Sequence, residues 1–152
     1  MTNAEICQIF REIADLLELK GENPYKIRAY RNIVRSIEEL ATPVSELVAE
    51  GRLREIPGAG EAISKKLNEL VTTGHLEFYD KLKAEFPEGV RELLAIPGVG
   101  PKTAQMLYQD LGIKSLAELE KALTAGKPLP RMGEKTRGNI LAGIGKTRRE
   151  VR

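Results

Sequence analysis

The chain has 152 residues, 30% of them charged and 5% aromatic, with one cysteine, one histidine and no tryptophan. That inventory excludes an internal disulfide and a Cys/His metal cluster, and no run approaches the ~20 apolar residues of a membrane span. The net charge of +2 is too small to argue for a polyanionic partner, but Lys127–Arg152 holds eight Lys or Arg against two Glu, so the residues before it are net acidic.

Met1–Phe10 lacks a basic segment and an apolar run, so a soluble cytosolic protein is the expectation. Thr2 or Asn3 can cap a helix carrying Ile6, Ile9, Phe10, Ile13, Leu16 and Leu17 at a period of 3.6, which stops near Gly21. Asn23-Pro24 restarts the chain. The helix predicted over about Tyr25–Leu40 has an apolar stripe of Ile27, Tyr30, Ile33, Val34, Ile37 and Leu40. Arg28, Arg31 and Arg35 form a narrow stripe opposite. Val44–Glu50 reads as a short helix closed by Gly51.

Ile-Pro-Gly-Ala-Gly at Ile56–Gly60 opens a helix predicted near Glu61–Thr73, and another follows over about Leu76–Glu85. Phe86-Pro87 then breaks the pattern and marks a boundary, giving domains 1–86 and 87–152. The second domain repeats the plan. A helix near Glu88–Ala95 leads to Ile-Pro-Gly-Val-Gly at Ile96–Gly100, then to a helix near Pro101–Leu111 and a short one over Leu116–Ala125. The forty-residue offset pairs Leu53 with Leu93, Ile56 with Ile96, Ser64 with Ala104 and Leu67 with Leu107. Lys127–Thr136 reads as a third, decayed copy, with Arg131 where the first glycine stood. No strand is predicted; the fold class is all-α.

A Gly-x-Gly turn lets the backbone take positive φ and approach a ligand without a Cβ clash. The helix that follows presents unpaired N–H groups at the same place, a setting that suits an anion. Two such turns suggest two grips on a phosphodiester backbone. His75 is read as a helix-start residue and Cys7 as a small packed side chain. No inward-facing carboxylate pair supports metal-dependent chemistry.

The repeated unit resembles the helix-hairpin-helix motif of DNA repair and replication proteins. The whole chain resembles the N-terminal part of X-family DNA polymerases, in which a polymerase-beta-like 8-kDa lyase-type domain precedes a DNA-binding subdomain. The residues carrying this are Asn23–Arg31, Ile56–Gly60 with Lys65-Lys66-Leu67, Leu70, Thr73-Gly74 and Ile96–Ala104. The resemblance implies sequence-independent binding of gapped or 5′-phosphorylated DNA through Gly58, Ala59, Gly60, Lys65, Gly98, Val99, Gly100, Lys102 and Thr103, aided by Lys26, Arg28, Tyr30 and Arg31. It implies a Na⁺ or K⁺ ion on the carbonyls of Arg54, Ile56 and Ala59, and a second on those of Leu94, Ile96 and Val99. No other cofactor is implied, since Mg²⁺ belongs to a catalytic palm for which these residues contain no match. On this reading the chain is a fragment, expected to be a monomer, cytoplasmic and nucleoid-associated, with the rest of a polymerase and DNA as partners.

Lys66 falls where the family places the lysine that attacks C1′ of a 5′-deoxyribose phosphate to form a Schiff base. That chemistry needs a neutral amine, which neighbouring cations, a helix N-terminus and partial desolvation favour. Ala62 and Phe78 stand where the family has two further lysines, which leaves open a module that binds without catalysis. A free-standing helix-hairpin-helix DNA-binding protein is the alternative.

Overall fold

The structure, a computed structural model, describes residues 1–126, 129 and 132–150, without the side chains of 146–150. Among these residues every regular element is helical.

Helix α1 (Asn3–Lys20) opens on a capping box, in which Thr2 and Glu5 each bond the other's backbone N–H. It closes at Gly21, whose φ of 82° allows the Glu22 N–H to reach back to the Leu17 carbonyl at 2.9 Å. Only three residues then separate it from α2 (Pro24–Glu38), so the two helices pack side by side. Ile6, Phe10, Ile13, Leu16 and Leu17 bury one face of α1 against Tyr30, Ile33, Val34 and Ile37 of α2.

The side chain of Asn3 ties this pair to α3 (Val44–Ala49), accepting from the Val44 N–H at 2.8 Å and donating to the Thr42 carbonyl at 3.2 Å. A 3₁₀ turn at Leu53–Glu55 carries the chain into the first Pro-Gly-Ala-Gly turn and α4 (Glu61–Thr73). Ile56, Ile63, Leu67 and Leu70 complete the core from that side, and Leu76 and Leu82 at α5 (Glu77–Ala84) close it.

The chain divides into two compact units, Met1–Leu82 and Lys83–Arg152. In the second, Pro87 precedes α6 (Glu88–Leu94), and the second Pro-Gly-Val-Gly turn leads to α7 (Pro101–Gln105). Where the periodicity predicts one α-helix as far as Leu111, the chain winds into a π turn over Met106–Asp110, closed by a Leu111 N–H to Met106 carbonyl bond of 3.2 Å. The wider turn delivers the chain to Gly112 at φ 67° and lets buried Ile113 donate to the Leu107 carbonyl at 2.8 Å. Helix α8 (Leu116–Thr124) is capped by Ser115, and α9 (Glu134–Glu150) ends the described chain.

The third copy falls partly on residues 127, 128, 130 and 131, which lie outside the described ones. Around them the Met132 N–H donates to the Leu129 carbonyl at 3.2 Å and the Arg137 N–H to Gly133 at 3.0 Å. The first turn makes the same two bonds, Ala59 to Ile56 and Ser64 to Gly60, both at 2.9 Å.

Candidate nucleic-acid interface

Each hairpin has the same anatomy. Ile56 and Ile96 plug the core from below, both 2% exposed, and Ala59 and Val99 point their side chains inward as well. Gly58 and Gly98 take φ of 89° and 93°, where a Cβ is strained. Gly60 and Gly100 do not: their φ values are −74° and −91° with ψ near 180°, ordinary extended backbone. No atom lies within 4 Å of where a Cβ would stand on either. Positive φ therefore explains only the first glycine of each pair. The second borders open space at the mouth of the following helix.

The turn consumes some of the amides assigned to phosphate. Ala59 N–H donates to Ile56 and Val99 N–H to Ile96, at 2.9 and 3.0 Å, and Gly60 N–H donates to Gly58 at 3.1 Å. Ala59 and Val99 thus shape the loop with main chain and side chain alike. What the helix starts offer are the N–H groups of Glu61, Ala62 and Ile63 at α4 and of Lys102 and Thr103 at α7, which precede the first helical repeat.

Two braces hold these loops. In the first unit Ser36 Oγ, in the last turn of α2, donates to the Pro57 carbonyl at 2.7 Å. In the second, α9 passes so close that a Cβ on Gly143 would lie 3.1 Å from the Pro97 carbonyl oxygen and from Ile96 Cγ2. Pro57 and Pro97 are equivalent positions of the repeat. Neither Ser36 nor Gly143 was legible as functional in the sequence, because both lie far along the chain from the loops they touch.

A cleft of about 660 Å³ lies beside α4 and α5, lined among others by Ala62, Lys65, Lys66, Leu76, Phe78 and Lys81. Lys66 is half-buried at the edge of the apolar stripe, its Nζ 4.9 Å from the centroid of the Phe78 ring, while Lys65 is exposed. Phe78 in turn stacks on Tyr30 at 6.1 Å and 6°, and the Phe10 ring lies tilted by 37° against Tyr30 at 5.8 Å. Three glutamates share this cleft. Glu61 pairs with Lys65 at 3.4 Å, Glu77 with Lys81 at 3.0 Å, and Glu69 accepts the Glu77 N–H at 2.8 Å. Sequence reading missed Lys81 and all three carboxylates; the i,i+4 spacing of the two pairs was the available signal.

The α2 candidates separate. Lys26 is exposed, 3.8 Å from Glu22. The first-turn amides of α2 are already used, Tyr25 N–H by Asn23 Oδ1 at 2.8 Å and Lys26 N–H by the Asn23 carbonyl at 3.0 Å, so only the lysine side chain is left to meet a phosphate. Arg28 is exposed and stands over the Tyr25 ring at 5.6 Å. Tyr30 is a core residue, and burial pushes its phenol up to about 12.

Arg31 turns toward α1 and pairs with Asp15 at 3.0 Å and Glu18 at 2.9 Å. Burial works to lower its pKa, but the hydrogen bonds to the two carboxylates outweigh it and leave it raised. Burial also dominates at Asp15, whose carboxyl stays raised despite the guanidinium. Arg31 therefore ties α2 to α1 through two carboxylates.

A family described as helix-hairpin-helix domain matches residues 1–76, and one described as SAM-like helix-hairpin-helix tandem matches residues 90–146. The chain is 30% identical over 147 residues to the DNA polymerase/3′-5′ exonuclease PolX of Bacillus subtilis, covering 95% of this chain and 25% of that protein. It is 30% identical over 132 residues to DNA polymerase lambda of Arabidopsis thaliana, covering 84% and 24%. It is 30% identical over 97 residues to the Holliday junction branch migration complex subunit RuvA of Acidovorax ebreus, covering 62% and 51%. The chain thus spans about a quarter of the length of the two polymerases.

Proposed function

This chain belongs to the helix-hairpin-helix family, with homology over most of its length to the N-terminal region of X-family DNA polymerases, and from that premise we propose that it holds gapped or 5′-phosphorylated DNA for a repair polymerase. Its domains are DNA-binding domains; the gap, the 5′-phosphate and the polymerase are the proposal. The carrying observation is the pair of braced hairpins, each ending in a glycine that borders open space beside a helix start. Amides in that position contact phosphate oxygens without reading bases, so the preference is for DNA shape. The first unit takes the 5′ side of the gap and the second the strand leading to the primer end.

Main-chain oxygens suit a hard monovalent cation on each loop. The carbonyls of Ile56 and Ile96 each accept one turn bond and keep a second lone pair, and the Ala59 carbonyl also receives Ser64 Oγ at 3.3 Å. Arg54 and Leu94 would complete the two sets. The ion would add positive charge beside the phosphate.

Lyase activity is the finer proposal. Lys66 Nζ would attack C1′ of the ring-opened abasic sugar; loss of water gives the imine, and β-elimination breaks the C3′–O bond. Support comes from the cleft beside Lys66. Borohydride trapping on a 5′-abasic gapped duplex tests it. A covalent adduct lost in Lys66→Ala is the expected result, and equal adduct in both proteins removes Lys66 from the role.

The match to RuvA supports a second reading, a helix-hairpin-helix module that binds branched DNA without catalysis. Competition between gapped duplex and four-way junction separates the two.

A further inference from the structure

Three amides follow Pro57 in the first hairpin, and two are spoken for: Ala59 donates to Ile56 and Gly60 to Gly58. The third belongs to Gly58. It shares a peptide plane with the Pro57 carbonyl, and that carbonyl is fixed by Ser36 Oγ at 2.7 Å. Among the described residues no peptide bond is cis. In a planar trans unit the C=O and N–H vectors run in opposite directions. A carbonyl held against α2 therefore turns the Gly58 N–H away from α2.

We propose that Ser36 is a positioning residue for DNA binding, which aims the Gly58 amide by holding the Pro57 carbonyl. The inference rests on the reading of the hairpins as phosphate grips, and adds the group that orients one of them. The second unit reaches the same end by another route. There the Pro97 carbonyl oxygen lies against Gly143 of α9, so Gly98 is oriented by close packing. The first brace can be removed by deleting one oxygen atom.

The test uses the 152-residue chain, ¹H–¹⁵N spectra and a 5′-phosphorylated duplex with a one-nucleotide gap. Wild-type protein should show both the Gly58 and Gly98 amides shifting on titration. Ser36→Ala should weaken binding roughly three- to tenfold, the span that one net hydrogen bond represents. It should also blunt the Gly58 response while leaving the Gly98 response intact. Ser36→Thr keeps the hydroxyl and should restore both. A general loss of folding would instead move the thermal midpoint and both glycines together, and would overturn the positioning role. So would a Ser36→Ala protein in which Gly58 responds as in the wild type. If neither glycine moves in wild-type protein, the phosphate-grip reading itself fails, and the inference falls with it.

Discussion

Gly89, in the first turn of α6, lies so close to the Lys114 carbonyl that a Cβ there would stand 2.1 Å from the oxygen. The partner is backbone and cannot rotate away. Gly89→Ala must therefore push α6 from the segment before α8 and is expected to destabilise the second unit by about 1–3 kcal/mol. Urea unfolding followed by circular dichroism reads this; an unchanged midpoint would mean that the two segments do not meet.

The two glycines of each hairpin should part company on substitution. Gly58→Ala forces a side chain into φ 89° and should cost about 1–2 kcal/mol of stability. Gly60→Ala meets neither strain nor neighbour, so stability should stay within about 0.5 kcal/mol of wild type. Its effect should appear instead as weaker binding of gapped DNA, because the methyl occupies space a phosphate would use. Paired thermal melts and mobility shifts check this, and Gly98 and Gly100 should divide in the same way, Gly98 as Gly58 and Gly100 as Gly60.

Tyr30 predicts a specific alkaline instability. Its folded-state phenol is pushed up to about 12, against an ordinary value of 10. Between those values the unfolded chain has released the proton and the folded one still holds it, so stability falls as pH rises. The loss attributable to this residue approaches about 2–3 kcal/mol by pH 12 and is absent below pH 10. Tyr30→Phe should abolish that part of the pH dependence, read by unfolding curves at pH 9 and 11.5.

Arg31→Met should destabilise the first unit by about 0.5–1.5 kcal/mol, because Asp15 and Glu18 lose a shared half-buried partner. Asp15 is then a partly desolvated carboxylate with less to offset it. Its raised pKa means protonation relieves it readily, so the defect should be larger at pH 7 than at pH 4. DNA affinity should stay near wild type, whereas Arg28→Ala, at an exposed arginine, should lower it. A reversal of that pattern would return Arg31 to the interface.

Affinity for gapped duplex should fall steeply with salt, whatever the base sequence, since phosphates supply the contacts. Equilibrium titrations at two salt concentrations on two unrelated sequences check both points. Salt-independent affinity would contradict the proposal.

What the sequence revealed followed from local physics. Helix α4 was readable at both ends because Gly60 opens it and Gly74, at φ 78°, closes it. The repeat was readable because its apolar positions recur with the glycines. What escaped was the pairing of distant residues. Arg31 belongs by spacing to an exposed stripe, and only the packing of α2 on α1 gives it carboxylates. Ser36, Gly89 and Gly143 are unremarkable as letters, since each matters through a backbone that arrives from elsewhere in the chain. The glycine pairs taught a finer lesson: the spelling is the same, yet one is needed for its torsion and the other for the room it leaves.

The change of winding at Met106 sets a limit on how interchangeable the two copies are. Upstream of it, from Ile56 and Ile96 to Lys65 and Gln105, the copies run in step and could trade places as cassettes. Beyond it α4 continues as an ordinary helix to Thr73, while its counterpart has widened by a residue and turned for home. A chimaera spliced before that point inherits a consistent frame; one spliced after it would carry the wrong thread into the neighbouring screw.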